Sequence, residues 1–215
     1  MKKFYKYFIC ILMAVILTLT AVACDNNQGG ENPPSDDRLE SGKPDNGNDN
    51  TDSNVLIAYF SWSGTTTRLA EFVKEQIPSA ALYKIERETP YSDDYTTVAY
   101  GEAKDEADNN ARPPLKNLLS AQQMAVYDTI ILMYPIWWHT APMVVGTFLE
   151  TYDLSGVNIY PITQSASMDS AQFNQSFEFV ATCAGKNGRP VVNGGLGTKS
   201  TSVIATYLRG NGLIA

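Results

Sequence analysis

Three loop segments carry most of the residues that could do chemistry, and each follows an apolar run. The first reads Ser-Trp-Ser-Gly-Thr-Thr at 61–66, between the apolar residues 55–60 and an amphipathic pattern that starts at Thr65. Hydroxyls and backbone N–H groups at the start of a helix that follows a strand commonly bind phosphate. No lysine follows Gly64 and no GxGxxG pattern is present, which disfavours nucleoside triphosphates and dinucleotides. The loop predicts a monophosphate held without a cation, and a plain helix N-cap is the alternative.

The second segment reads Tyr-Pro-Ile-Trp-Trp-His-Thr-Ala-Pro-Met at 134–143 and follows the apolar run Thr129–Met133. Adjacent tryptophans at the end of a strand are either buried in a core or used to bind a partner. Pro135 and Pro142 bracket the loop, which favours a preformed wall for a planar ligand. One of the two tryptophans is expected to pack beneath the following helix.

The third segment, Pro-Ile-Thr-Gln-Ser-Ala-Ser-Met at 161–168, also lies at the end of an apolar run. Its amides and hydroxyls suit the polar edge of a heterocycle. By itself the segment is equally typical of a turn and a helix cap.

The titratable residues near these loops are few. His139 is the only histidine in the chain, and no cysteine or carboxylate pattern accompanies it, so no metal site is predicted. It is either a proton source for a bound ligand or a loop residue that packs beside the tryptophans. Cys183 lies on the apolar face of a predicted helix and is expected in the core. A hydrolase pair of Cys183 with His139 is a minor alternative.

The elements that must position these loops follow from the alternation of apolar runs and helical patterns. Strands are predicted at Val55–Phe60, Ala80–Ile85, Thr129–Met133, Val157–Ile162 and Pro190–Val192. Helices are predicted at Thr65–Ile77, Pro142–Tyr152, Asp169–Ala184 and Thr198–Arg209. Strands that are apolar throughout are buried on both faces, which indicates a parallel sheet covered by helices. The predicted fold is therefore α/β, a three-layer doubly wound five-stranded parallel sheet.

One stretch, residues 87–126, interrupts this alternation between the second and third strands. It contains Thr-Pro-Tyr, an acidic segment from Asp93 to Asp108, and Arg-Pro-Pro. We expect an excursion of loops and helices whose charges form a solvated face. The alternative is that the excursion forms a rim or lid for a bound ligand.

The N-terminal part of the chain does not resemble a folded domain. Three lysines precede an apolar run from Phe8 to Val22, and small residues stand just before Cys24. This order resembles the lipobox of bacterial lipoproteins, which implies cleavage before Cys24 and lipid on its thiol. A plain secretory signal and an uncleaved anchor are the alternatives. We predict a signal peptide at 1–23, a lipidated cysteine and disordered acidic linker at 24–53, and one domain at 54–215.

The net charge and the number of cysteines further limit the functions and the covalent cross-links that the chain can have. The formal net charge is −7, and the predicted linker alone has eight acidic and two basic residues. An acidic body argues against binding nucleic acid, whose phosphates require a basic surface. Only Cys183 falls in the predicted domain, so no disulfide within it is expected.

Together the three loops resemble the flavodoxin-like family, and more narrowly the flavodoxin group with a Tyr-Pro-Ile-Trp-Trp loop. The resemblance spans residues 54–215 and implies a sheet of order 2-1-3-4-5 that binds FMN. The implied phosphate loop is Ser61, Trp62, Ser63, Gly64, Thr65 and Thr66. The isoalloxazine would lie against Pro135, Ile136, Trp137 and Trp138. If His139 is functional, it would be a donor near flavin N5 or a proton source for a substrate. Thr163, Gln164, Ser165 and Ser167 would meet the pyrimidine side.

Two positions depart from the family pattern. The family usually has glycine or another small residue where this chain has His139, and its third loop is commonly glycine-rich, whereas here it reads Gln-Ser-Ala-Ser at 164–167. Both changes are expected to narrow the flavin cleft or alter the flavin potential.

These observations predict an FMN-dependent redox protein that is exported and tethered to a bacterial membrane by lipid on Cys24. It would be either an electron carrier for a membrane-bound redox partner or a reductase that passes hydride to a quinone-type acceptor. The alternative from another class is a flavin-free lipoprotein that uses the same fold to bind a ligand or partner.

Overall fold

The computed structural model describes residues 54–215, and the predicted signal peptide, linker and lipidated Cys24 lie outside the described residues. The strands are β1 (Val55–Tyr59), β2 (Ala81–Lys84), β3 (Glu86–Arg87), β4 (Leu115–Lys116), β5 (Thr129–Pro135), β6 (Asn158–Gln164), β7 (Val191–Val192) and β8 (Leu196–Gly197). The helices are α1 (Thr65–Gln76), α2 (Tyr95–Thr97), α3 (Ala103–Asp108), α4 (Ala121–Met124), α5 (Met143–Thr151), α6 (Ser170–Ala184) and α7 (Thr201–Gly210).

The main sheet is parallel and has the order β2-β1-β5-β6-β7. Because β5, β6 and β7 are the third, fourth and fifth predicted strands, the predicted order 2-1-3-4-5 is confirmed. The short β8 was not predicted, and it pairs with β6 beyond the end of β7. The ends of β1, β5 and β6 therefore meet at one edge of the sheet, where the three predicted loops begin.

Helices cover both faces of the sheet, so the predicted three-layer α/β class is confirmed. On one face Ile57 and Ile131 pack against Leu69 of α1 and Ile204 of α7. The opposite face packs against α5, α6 and part of the excursion. Its fully buried residues include Leu56, Ile130, Leu132, Phe148, Leu149 and Val180. Successive side chains of a strand point to opposite faces, which is why consecutive apolar residues serve both cores.

The sheet edge at β8 depends on glycines that allow α6 to approach closely. A Cβ on Gly195 would lie 2.4 Å from the Phe177 ring, and one on Gly197 would lie 2.1 Å from the Phe173 ring. Glycine runs weaken a strand pattern in sequence, which explains why β8 was missed. The pairing continues through Thr198, whose N–H donates to the carbonyl of Thr163 at 2.9 Å, so α7 begins three residues later than predicted.

The excursion folds into a small two-stranded antiparallel sheet, β3 with β4, and a helical segment at residues 95–108. In that segment a π-helical turn, Val98–Glu102, joins α2 to α3. Arg87 anchors the segment, since its guanidinium lies 3.0 Å from Glu102 and 3.2 Å from Glu106. The acidic stretch is therefore not simply a solvated face, because two of its carboxylates are ion-paired and partly buried.

Candidate functional site

The first predicted loop turns sharply into α1. Gly64 has φ 83°, a conformation that favours glycine, and no side chain caps the helix start. The first N–H groups of a helix have no partner inside the helix, so this end favours an anion. The hydroxyls of Ser63 and Thr65 lie 3.4 Å apart at the turn. Thr66 is buried and accepts a long hydrogen bond, 3.5 Å, from the Gln164 amide of the third loop.

Two buried hydroxyl oxygens lack a hydrogen-bond partner among residues 54–215: Ser61 Oγ and Thr140 Oγ1. A buried hydroxyl without a partner costs about 1–3 kcal/mol, which a ligand oxygen could relieve. One of the two lies in the first loop and the other in the second. The combination of an uncapped helix, a left-handed glycine and an unpaired serine hydroxyl suits a phosphate group.

The second loop forms a tight turn that separates the two tryptophans. The backbones of Trp137 and Thr140 bond to each other at 2.9 and 3.1 Å, and the central residues Trp138 and His139 have φ values of 46° and 65°. Positive φ at both central positions is typical of a type I′ turn, in which Asn and Gly are the usual residues. The turn holds His139 at an exposed tip.

Trp137 packs against aromatic residues at the end of β1 and in the excursion. Its ring makes edge-to-face contacts with Phe60 at 5.0 Å and Tyr91 at 5.1 Å. Trp138 instead faces the excursion, since its Nε1 donates to the carbonyl of Ala99 at 2.6 Å. Lys104 lies 5.2 Å from the centre of the Trp138 ring, a cation–π contact.

The third loop is tied to the second through backbone and side chains. The N–H of Ile136 donates to the carbonyl of Gln164 at 2.8 Å, and the Thr163 hydroxyl donates to the carbonyl of Tyr134 at 2.9 Å. The hydroxyls of Ser165 and Ser167 lie 3.2 Å apart. Thr163 therefore ties the start of the third loop to β5, and the two serines contact each other within the loop.

The three loops line one cleft of about 590 Å³, which lies within the size range of small-molecule sites. The predicted residues that line it are Trp62, Ser63, Thr65, Pro135, Ile136, Trp137, Trp138, His139, Gln164, Ser165 and Ser167. Four predicted site residues do not line it: Ser61, Gly64, Thr66 and Thr163. Gly64 shapes the turn, whereas Thr66 and Thr163 are buried supports. Ser61 lines a smaller hollow of about 140 Å³ behind Trp62.

The excursion contributes a wall of the cleft that the favoured sequence interpretation missed. Tyr95, Val98, Ala99 and Ala103 line the cleft, and their i, i+3, i+4, i+8 spacing is that of one helix face. Tyr100 lines it as well. We call Trp62, Tyr95, Tyr100 and Trp138 the aromatic wall, because consecutive ring centres lie 6.2–6.3 Å apart. The alternative of a rim for a ligand therefore describes this segment better than a solvated charge run.

Two further lining residues, Gln172 and Lys199, carried no signal in the sequence. Gln172 lies in the first turn of α6, just after the third loop. Lys199 stands between β8 and α7, and β8 itself was not predicted. None of the carboxylates in the part of the chain that the structure describes lines the cleft, although the full chain has a net charge of −7.

Cys183 takes no part in the cleft. It is buried in the core on α6, and its thiol lies 3.5 Å from the Arg112 guanidinium. Burial, together with a hydrogen bond from the thiol to Glu150, raises the pKa of Cys183 to about 12. A thiol with this pKa is inert at neutral pH, so the structure gives no support to a nucleophile paired with His139.

Residues 54–215 contain no cluster of three or more His, Cys, Asp and Glu side chains that could hold a metal. Over the same residues, none of the helices is both long enough and apolar enough to span a membrane.

Comparison with known proteins places this geometry among flavoproteins. Residues 54–201 match the family model described as Flavodoxin. A candidate flavoprotein from Bacteroides eggerthii DSM 20697 has a crystal structure with 26% identity and a TM-score of 0.61, covering 74% of this chain and 97% of its own. A flavoprotein from Lactobacillus acidophilus NCFM, solved in complex with FMN, is similar in fold at 22% identity and TM-score 0.53, covering 70% of this chain and 96% of its own. A comparison with curated proteins found no match.

Proposed function

Because this chain belongs to the flavodoxin family through residues 54–201, we propose that it binds FMN in the cleft and serves as a redox protein. One observation carries the proposal: the uncapped helix start, the tryptophan turn and the polar third loop converge on a single cleft of about 590 Å³. The complex of the Lactobacillus acidophilus protein with FMN supports it. When bound, FMN would supply reversible uptake of electrons together with protons.

Different residues of the cleft would bind different parts of FMN. Ser63, Thr65 and the N–H groups at the start of α1 would hold the phosphate, with the Ser61 hydroxyl available as a further donor. Trp138 would border the ring, while Trp137 supports the turn from the core side. Gln164 and Ser165 would donate to or accept from the polar ring edge.

His139 would stand at the outer edge of the ring. The turn presents its imidazole at an exposed tip that also lines the cleft. From this position the imidazole could hold or pass a proton when an acceptor approaches. The geometry suits either a carrier that meets a protein partner at this edge or a reductase that admits a small planar acceptor such as a quinone.

We also propose that lipid on Cys24 tethers the protein outside the cytoplasm. The basic start, the apolar run and the small residues before Cys24 support this proposal. In a bacterial host fed a tagged fatty acid, the wild type should be labelled and found with membranes. The Cys24→Ser variant should lose the label, and a labelled Cys24→Ser protein would contradict the assignment.

Binding is tested by titrating purified, colourless protein with FMN and following the quenching of flavin fluorescence. The wild type should bind FMN and turn yellow. Ser63→Glu should weaken binding at least a hundredfold, because a carboxylate at the phosphate position repels the ligand. Ser155→Glu is the matched control, since it makes the same change at an exposed position in the loop before β6, at the opposite edge of the sheet.

A wild-type protein that neither quenches FMN fluorescence nor keeps a yellow colour after free FMN is removed would overturn the proposal and favour the flavin-free binding module. Full binding by Ser63→Glu would show that the phosphate loop is misassigned. Oxidation of NAD(P)H by the loaded protein, with and without a quinone, then separates the reductase from the carrier.

A further inference from the structure

Within residues 54–215, Lys199 is the one lysine or arginine that lines the cleft. We propose that its ammonium group supplies a positive charge at the ring end of the cleft and stabilises reduced, anionic FMN over oxidised FMN. This inference rests on the proposed function and extends it to the control of the redox potential.

The strand register places Lys199 beside the third loop. In the β6–β8 pair, Gly197 is the partner of Thr163. Lys199 lies two residues past Gly197 and Ser165 lies two residues past Thr163, so this register places both residues just beyond the paired ends of β8 and β6. Lys199 and Ser165 both line the cleft. The ammonium therefore belongs to the end of the cleft that is proposed to meet the pyrimidine side of the ring.

The phosphate loop lies elsewhere on the sheet edge. It follows β1, which is separated from β8 by β5 and β6. Lys199 is therefore closer to the third loop, which follows β6, than to the phosphate loop, which follows β1. This placement favours an action on the ring rather than on the phosphate.

The surroundings leave this charge uncompensated. No carboxylate lines the cleft, and within residues 54–215 Lys199 forms no salt bridge. Its neighbours in the cleft, including Gln172 and Ser167, are neutral. The lysine side chain is exposed, so water screens its attraction to an anion without abolishing it.

The chemistry of reduction gives this charge a selective effect. Oxidised flavin has a neutral ring, and uptake of two electrons and one proton leaves the ring with one negative charge. Dithionite supplies the electrons and the solvent supplies the proton. A cation beside the pyrimidine edge therefore favours the reduced form and raises the midpoint potential. The phosphate charge is the same in both forms, so a cation that acted on the phosphate would not shift the potential.

The test uses full-length protein loaded with FMN and titrated with dithionite in the presence of redox dyes. In Lys199→Gln the affinity for reduced relative to oxidised FMN should fall about tenfold. That change equals a drop of about 30 mV in the two-electron midpoint potential. Lys199→Glu should lower the potential further, and Lys199→Arg should stay near the wild type. Arg209→Gln is the control, because it removes an exposed cation at the end of α7 that lines neither the cleft nor the smaller hollow.

Affinities for oxidised FMN and for riboflavin identify where Lys199 acts. We expect Lys199→Gln to change both oxidised affinities by less than about threefold. A loss confined to FMN with an unchanged potential would place Lys199 at the phosphate and overturn the inference. An unchanged potential in both Lys199→Gln and Lys199→Glu would overturn it as well. If the wild type bound no FMN, the proposed function and this inference would both fall, whereas binding with unchanged potentials removes the inference alone.

Discussion

At the scale of single residues, the adjacent tryptophans show how neighbours in sequence acquire different tasks. The tight turn at 137–140 sends Trp137 toward Phe60 and Tyr91 and sends Trp138 toward the excursion. Large aromatic rings contribute through buried area and through edge-to-face contacts. Trp137 should therefore matter mainly for stability and Trp138 mainly for the ligand.

Alanine substitutions test this division. Trp137→Ala should lower the free energy of unfolding by about 3 kcal/mol, because it leaves a cavity against two aromatic rings. Trp138→Ala should cost about 1 kcal/mol through its lost hydrogen bond but weaken FMN binding about tenfold or more. Denaturant unfolding and FMN titration measure the two effects, and reversed rankings would contradict the assignment.

His139 occupies a backbone conformation that suits glycine better. Its φ of 65° lies in the left-handed region, where a side chain is strained. His139→Gly should therefore leave stability unchanged or raise it by up to about 1 kcal/mol. His139→Val should cost about 1–2 kcal/mol, because β-branched residues tolerate this region poorly. Thermal unfolding of the two variants provides the measurement, and equal stabilities would argue against strain at the turn.

At the scale of elements, the excursion supplies one wall of the cleft. Its π-helical turn and α3 place Ala99, Tyr100 and Ala103 along the cleft. Arg87 holds this segment through Glu102 and Glu106, and the Tyr91 hydroxyl donates to Glu106 at 2.7 Å. Burial, opposed by the bonds from Tyr91 and Arg87, raises the pKa of Glu106. The wall of the cleft thus depends on a polar cluster outside it.

Removal of the anchoring cation should loosen that wall. Arg87→Met should destabilise the protein by about 2 kcal/mol, since it leaves two partly buried carboxylates without their cation. It should also speed the release of FMN, because the aromatic wall loses its support. Lys84→Met is the control, as it breaks only an exposed pair with Glu86. Stopped-flow release rates that match between the two variants would contradict this role.

At the scale of the whole molecule, a second ionic cluster joins the excursion to the α5–α6 face. Arg112 and Lys186 each lie 2.7 Å from Glu150 on α5. Gly146 makes room for this contact, since a Cβ there would lie 3.3 Å from the Arg112 guanidinium and 2.9 Å from Phe179. Burial disfavours the charged carboxylate, but the bonds from Arg112 and Lys186 outweigh it and lower the pKa of Glu150 to about 2.

This depressed pKa gives stability a predictable dependence on pH. A carboxyl whose pKa is lower in the folded state than in the unfolded state stabilises the protein above its ordinary pKa of 4.5. That contribution should be lost as the pH falls from about 5 to about 2. Denaturant midpoints measured across this range should fall less steeply in Glu150→Gln than in the wild type. Identical slopes would show that the cluster does not titrate as expected.

Local sequence patterns were sufficient to predict the α/β class and the positions of the three loops. Apolar runs fully buried on both faces require a parallel sheet, and the ends of parallel strands must meet at one edge. The hydroxyl-rich loop and the tryptophan pair lie next to such strand ends, so their convergence followed from the strands alone. The role of the excursion was harder to predict, because charged residues lie between the apolar residues that line the cleft. Trp138 contacts this segment through Ala99, and the sequence does not show that contact.

What the sequence by itself determined was the α/β sheet and the chemistry of the loops after β1, β5 and β6, because strand and helix periodicities are local. The strand order followed from the resemblance to the flavodoxin-like family. Only the tertiary structure decided which tryptophan packs inward, that the excursion walls the cleft, and that Lys199 joins it. Those outcomes depend on contacts between residues far apart in the chain, such as Trp138 with Ala99 and Thr163 with Gly197. No local pattern encodes a register between distant strands, since that register is set by how their side chains pack together.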